Sequence, residues 1–226
     1  MKSWFGLESI VCFPDKCQCE AAGEGIIRQP SSFWSSWAYL FVGIFVYRYL
    51  KNKTLELKMW TAVCFLLGIT SMFGHASFTK LALALDFASI VLVLSFFMML
   101  NLFMLLKIRL RPMLIYFSIY YFSIFFAMYY MDKWVKIGIC LMVFVLSFQD
   151  IIRESGKEFF RSKSLMVSLL ALTLSFAFFV MDENHIMCDP HSFFQWHSLW
   201  HIGTAVAMFF YGKWRLSEVQ TGATRN

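Results

Sequence analysis

Long apolar runs, separated by short clusters of basic residues, constrain this chain more than any other feature. Seven such runs can be drawn, and their boundaries define the reading. They cover about Phe33–Tyr47, Met59–Phe78, Leu81 to just before Lys107, Pro112–Tyr130, Trp134–Phe148, Ser164–Met181 and Pro190–Tyr211. A helix needs roughly 20 apolar residues to cross a hydrocarbon core of ~30 Å. Lipid also forces every backbone N–H and C=O to find a partner inside the protein, which leaves helices or closed barrels. Runs of this length favour helices. Composition agrees: 59% of residues are hydrophobic and only 15% are charged. A soluble domain has nearer half and a quarter. The expected fold is therefore an all-α membrane protein of seven transmembrane helices. It forms a single domain over residues 1–226, with residues 1–32 as an external N-terminal segment.

The net charge of +6 does not point to nucleic acid. Its basic residues lie between apolar runs, which is the orientation signal of a membrane protein. Fourteen of the 20 Lys and Arg residues fall on one side: Arg48 to Lys58, Lys107 to Arg111, Arg153 to Lys163, and Lys213, Arg215 and Arg225. That side reads as cytoplasmic and puts the N-terminus outside. The sequon Asn52-Lys53-Thr54 then faces the cytoplasm. The first twenty residues lack a signal-peptide core, being broken by Glu8, Pro14 and Asp15. Trp4 and Phe5 suggest a short interfacial segment.

Ionisable residues inside spans are costly and mark function. His75 lies near the end of the second run, Asp86 near the start of the third, and His197 and His201 in the seventh. The two last-span histidines are four apart, so both rings leave one helix face. His75 is the only other histidine within a run; His185 and His191 read as solvated loop residues. The topology places His75, Asp86, His197 and His201 in the outer half of the bilayer. With Asp189 as cap and Pro190 in the first turn, His197 lies about 12 Å and His201 about 18 Å below the start of the last helix. Three neutral imidazoles with one open position form the usual catalytic zinc set. Ser71 sits one turn before His75 on the same face.

Taken together, these residues resemble the alkaline ceramidase family. The spacing is Ser71-x-x-x-His75, Asp86, and His197-x-x-x-His201 in the last span. The family belongs to a wider group of seven-span hydrolases that includes the adiponectin-receptor-like proteins. The likeness extends to Cys19-Glu20, Gly25-Ile26-Ile27-Arg28-Gln29-Pro30 and Trp34-Ser35-Ser36, in a bacterial style, and to Cys188-Asp189-Pro190-His191-Ser192 before Gln195-x-His197-x-x-Trp200-His201. The resemblance implies zinc on His75, His197 and His201. It makes Asp86 the general base that holds the attacking water and Ser71 the donor that steadies the oxyanion. The implied activity is hydrolysis of ceramide or a related N-acyl lipid to a sphingoid base or amine and a free fatty acid. The substrate partner is then a membrane lipid, with no obligate protein partner, and the location is a bacterial cytoplasmic membrane (endoplasmic reticulum or Golgi in a eukaryote).

The chain also departs from the family. Glu20 matches one acidic ligand of the calcium site found in eukaryotic members, but Cys17 and Gln29 stand where further carboxylates belong. Ser32 and Ser36 replace Asn. Fewer carboxylates bind a hard cation more weakly. Cys12, Cys17, Cys19 and Cys188 fall outside, where a bridge from Cys19 or Cys17 to Cys188 is chemically allowed. The competing function is a zinc-stabilised lipid sensor or receptor without catalysis. A metal transporter lacks its acidic path through the inner halves of the spans. A retinal pump lacks its lysine in the last span.

Overall fold

The computed structural model describes residues 6–10, 18–106, 110–155 and 162–221. These form eight helices: α1 (Pro30–Ser35), α2 (Trp37–Tyr49), α3 (Leu55–Ser77), α4 (Lys80–Leu105), α5 (Leu110–Tyr130), α6 (Lys133–Ser155), α7 (Lys163–Glu183) and α8 (Trp196–Thr221). Among the described residues the only β pairing is an isolated bridge between Ser9 and Thr79. Trp4, Phe5, Cys12 and Cys17 lie outside the described residues.

Each of the seven apolar runs becomes a helix, with α1 and α2 together taking the first. Length and apolarity alone qualify four segments to cross a membrane: Leu55–Ser77, Lys80–Phe103, Pro112–Tyr130 and Lys163–Glu183. This is consistent with an integral membrane protein. The other three fall short for local reasons. α2 has 13 residues because Ser36 separates it from α1. The apolar stretch of α6 is only Gly138–Gln149. α8 opens on polar residues, His197, Ser198 and His201.

Helix ends follow from capping chemistry. Thr54 accepts the Leu57 N–H at 3.4 Å and starts α3, and Ser162 does the same for Leu165 at 3.3 Å to start α7. α3 stops where Phe78 enters the left-handed region with φ 52°, its N–H donating to Gly74 O at 2.8 Å. Thr79 Oγ1 then accepts the Ala82 N–H at 3.4 Å as α4 begins. This two-residue turn makes α3 and α4 antiparallel neighbours and sets the end of one beside the start of the other.

The core is aromatic. Trp60 of α3 packs on Phe96 and Phe97 of α4, with ring centroids 5.3 and 4.8 Å apart. α7 lies along α8, α2 against α3 and α8, and α5 and α6 against α4. The outer surface is apolar as well: Phe41, Phe45, Ile119, Phe122, Leu146, Leu170 and Leu174 are all exposed. A soluble monomer does not display apolar surface on this scale; lipid-facing helices must.

Candidate metal centre

His75 lies in the last turn of α3, and His197 and His201 lie in the first two turns of α8. All three are buried, and each offers one ligand atom within 4.8 Å of the others. Among the described residues this is the only such group of histidine, cysteine or acidic side chains. The ring centroids stand 5.0, 5.0 and 4.6 Å apart. The cluster can hold a metal ion, as the four-residue spacing and the topology predicted.

Each Nδ1 faces away from the cluster, toward an oxygen. His75 Nδ1 donates to Gln29 Oε1 at 2.8 Å. His201 Nδ1 sits 3.2 Å from the Ser32 carbonyl, 2.9 Å from Ser35 Oγ and 3.3 Å from Ser36 Oγ. His197 Nδ1 is 3.4 Å from Asp182 Oδ2. A ligating histidine commonly turns its other ring nitrogen to an outer acceptor, which sets tautomer and ring angle. Here that leaves the three Nε2 atoms as ligands. His75 Nε2 is buried with no hydrogen-bond partner. His197 Nε2 meets only the Gln18 side-chain nitrogen, at 3.2 Å.

Asp86 and Ser71 lie on the facing ends of α4 and α3. Asp86 is buried in the second turn of α4, and its Oδ1 has no hydrogen-bond partner. Ser71 is buried one turn before His75, its hydroxyl 3.0 Å from Ser36 Oγ. Gly74 lets the helices close here: a Cβ at that position would stand 3.7 Å from Asp86 Cβ. Two buried polar atoms here, His75 Nε2 and Asp86 Oδ1, have no hydrogen-bond partner. Such atoms are rare in folded proteins and call for an explanation. A divalent ion with its water supplies one, so the donor set fits zinc.

The segment before α1 closes the site. Cys19 and Cys188 form a disulfide, one of the two pairings the sequence left open. Ala21 N–H donates to Pro190 O at 3.0 Å, Arg28 N–H to Ala76 O at 3.2 Å and Gln29 N–H to His75 O at 3.0 Å. Glu20 is buried, and its carboxylate accepts Ser31 N–H at 2.7 Å, Ser32 N–H at 3.0 Å and the Ser32 hydroxyl at 2.6 Å. It caps α1. The carboxylate that the resemblance would give to a calcium site thus serves a helix N-terminus with both of its oxygens.

Two sequence expectations change. Asp189 and Pro190 do not start the last helix. Asp189 Oδ1 instead accepts the His191 N–H at 3.1 Å, its carbonyl accepts Gln195 Nε2 at 2.9 Å, and α8 begins at Trp196. The disulfide and the Ala21–Pro190 bond hold residues 188–190 against the N-terminal segment, out of the helix. His197 thus lies in the first turn of α8, not about 12 Å into it. Second, Asp182 was overlooked. It follows the sixth apolar run within Met181-Asp182-Glu183-Asn184 and reads as a solvated helix end, yet it is fully buried. Gln18, Gln29 and Ser35 carried no metal signal either, because amides and hydroxyls are common in any loop. His185 and His191 are exposed, as read.

No protein-family model matches the chain, nor does any curated protein or any solved structure.

Proposed function

We propose that this chain is an intramembrane zinc hydrolase that cleaves the amide bond of ceramide or a related N-acyl lipid. The observation that carries the reading is the buried Asp86 carboxyl, packed against α3 at Gly74 next to His75 with Oδ1 unpartnered, and the buried Ser71 one turn before His75. A site that held metal only for structure needs neither group.

Zinc held by His75, His197 and His201 would act as a Lewis acid and lower the pKa of a water to about 7. The chain's own groups do the rest. Asp86 accepts a proton from the attacking water and passes it to the leaving amine nitrogen, which splits the difficult departure of an amine into two proton transfers. Ser71 has one hydroxyl proton. At rest it points to Ser36 Oγ, 3.0 Å away, and it turns to the oxyanion as charge develops there. Until then Ser36 accepts that proton, because its own hydroxyl donates to Ser32 O at 2.8 Å.

The reading carries a topology: seven spans, N-terminus outside, C-terminus cytoplasmic, and the site in the outer half of a bacterial cytoplasmic membrane. The basic-residue bias supports it. So does the Cys19–Cys188 bridge, since disulfides persist on the oxidising side of a membrane. A site within the bilayer meets a two-tailed amide without drawing it into water.

The test is metal analysis of the purified protein, followed by incubation with a panel of N-acyl lipids and mass spectrometry of released fatty acid. His197→Ala loses both zinc and hydrolysis. Asp86→Asn keeps zinc and loses turnover by about 10²–10⁴-fold. An Asp86→Asn protein that hydrolyses at the wild-type rate removes the base assignment. Wild-type protein that holds zinc and releases no fatty acid from any of these lipids favours the sensor reading.

A further inference from the structure

We infer that Asp182 is a positioning residue of the metal centre: it holds His197 as an Nε2 ligand, and the bridged Cys19 holds Asp182. The inference rests on the metal reading above but not on hydrolysis.

Asp182 lies in the last turn of α7 and is fully buried. Oδ1 accepts the Cys19 N–H at 3.3 Å. Oδ2 stands 3.4 Å from His197 Nδ1, and neither of these two buried atoms has a hydrogen-bond partner. An isolated carboxylate in a dry interior is expensive, so its position here needs a partner of opposite polarity. The facing Nδ1–H is that partner. A proton on Nδ1 leaves the Nε2 lone pair free, pointing at the side where His75 and His201 converge. His197 differs from its two companions in this respect. His75 and His201 turn to neutral oxygens, of Gln29 and of Ser32, Ser35 and Ser36. Only His197 faces a charged acceptor, which makes its imidazole the most basic donor of the set and offsets part of the ion's charge.

The carboxylate also serves two donors at once, Cys19 N–H and His197 Nδ1–H. An asparagine cannot. If its oxygen stays on Cys19, its NH2 faces His197 Nδ1 and drives the proton to Nε2, the ligand position. If its oxygen turns to His197, its NH2 meets the Cys19 N–H. Asp182→Asn therefore keeps side-chain volume while breaking the double acceptance. A merely structural aspartate, needed only to pin Cys19, would tolerate the first arrangement.

The experiment is a zinc competition titration against a chromogenic chelator, on wild type, Asp182→Asn, His197→Ala and the Cys19→Ser/Cys188→Ser pair, with the bridge mapped under non-reducing conditions. Asp182→Asn is expected to retain the bridge and to bind zinc about 10–100-fold more weakly. Loss of the bridge is expected to weaken zinc in the wild-type background and to add little in Asp182→Asn, since both changes release the same carboxylate. Asp182→Asn protein that binds zinc as wild type does overturns the proposal, and strictly additive losses overturn its link to the bridge. Loss of zinc in His197→Ala but not in Asp182→Asn sinks this inference alone; wild type without zinc sinks the metal reading as well. Should Asp182→Asn fail to fold, nitrogen-15 histidine spectra of zinc-loaded wild type decide the matter. Three Nδ1 protons are expected, one shifted well downfield of the others by its carboxylate, and three alike would refute the assignment.

Discussion

Glu20→Gln distinguishes a helix cap from an ion ligand, and the size of its effect follows from three distances. The carboxylate takes two backbone N–H groups at 2.7 and 3.0 Å and one hydroxyl at 2.6 Å, in a setting only 4% exposed. Hydrogen bonds to a charged acceptor contribute about 1.5–3 kcal/mol each. A glutamine keeps one oxygen, which can stay on Ser31 N–H. Its NH2 then points at Ser32, where the hydroxyl can reverse and accept but the backbone N–H cannot. One charged bond is lost outright and the others weaken, for a net cost of about 2 kcal/mol. In a protein of this size that corresponds to a fall of about 4–8 °C in Tm. The assay is thermal unfolding in detergent, for wild type and Glu20→Gln, with and without excess calcium. The cap reasoning requires a lower Tm in the variant and no calcium effect on either protein. An unchanged Tm in Glu20→Gln would refute it. So would a wild-type Tm that rises with calcium while the variant's does not, because the carboxylate would then be a ligand and its N–H contacts incidental.

Two further substitutions test the packing and the outer acceptors. A Cβ at Gly203 of α8 collides with Ser175 Oγ of α7 and lies 3.2 Å from Ser175 Cβ. Gly203→Ala is therefore expected to cost about 1–3 kcal/mol, read as a lower Tm, and Ser175→Gly in the same protein is expected to restore it; failure of the pair to recover would show that the contact is not the cause. Gln29→Leu removes the oxygen 2.8 Å from His75 Nδ1 at nearly constant volume. Zinc affinity should fall about 10–100-fold in chelator competition, and an unchanged affinity would mean that His75 does not depend on Gln29 for its tautomer.

The parts of the site that were legible in the sequence are those where residue type alone carries the chemistry. Imidazoles inside apolar runs are rare and costly, so His75, His197 and His201 stood out, and a helical repeat of four put two of them on one face. Asp86 stood out for the same reason. Ser71 needed the helical spacing as well. The disulfide was legible as two candidate pairs, and only three-dimensional proximity selected Cys19. The outer acceptors were not legible. Gln29, Ser35 and the Ser32 carbonyl are ordinary groups that matter because the chain folds back on the histidines. Asp182 was masked by its neighbours: beside Glu183 and Asn184 it looks like any solvated helix end. The start of α8 was misplaced because Asp189 and Pro190 make a good local N-terminus, and a disulfide one residue earlier overrides local preference.

That displaced start alters the energetic logic of the centre. His75 lies in the last turn of α3, Asp86 in the second turn of α4, Asp182 in the last turn of α7 and His197 in the first turn of α8. The polar groups thus gather where four helices end, not along their middles. In mid-helix a buried imidazole in lipid would find its neighbours' backbone groups already bonded and would have to bring its own partner. At helix ends, irregular chain can be laid across the gap, and residues 18–32 are that chain. They supply Gln18 and Gln29, the Ser32 carbonyl and the Cys19 N–H to the histidines and to Asp182. Their own backbone groups are satisfied in return by Ala76, His75 and Pro190 carbonyls. The exchange is mutual: the segment and the ligand set each satisfy polar groups of the other. Removing the segment should therefore abolish metal binding even though His75, His197 and His201 all lie outside it. Zinc retained by a chain truncated before α1 would show that α3 and α8 preorganise the ligands on their own.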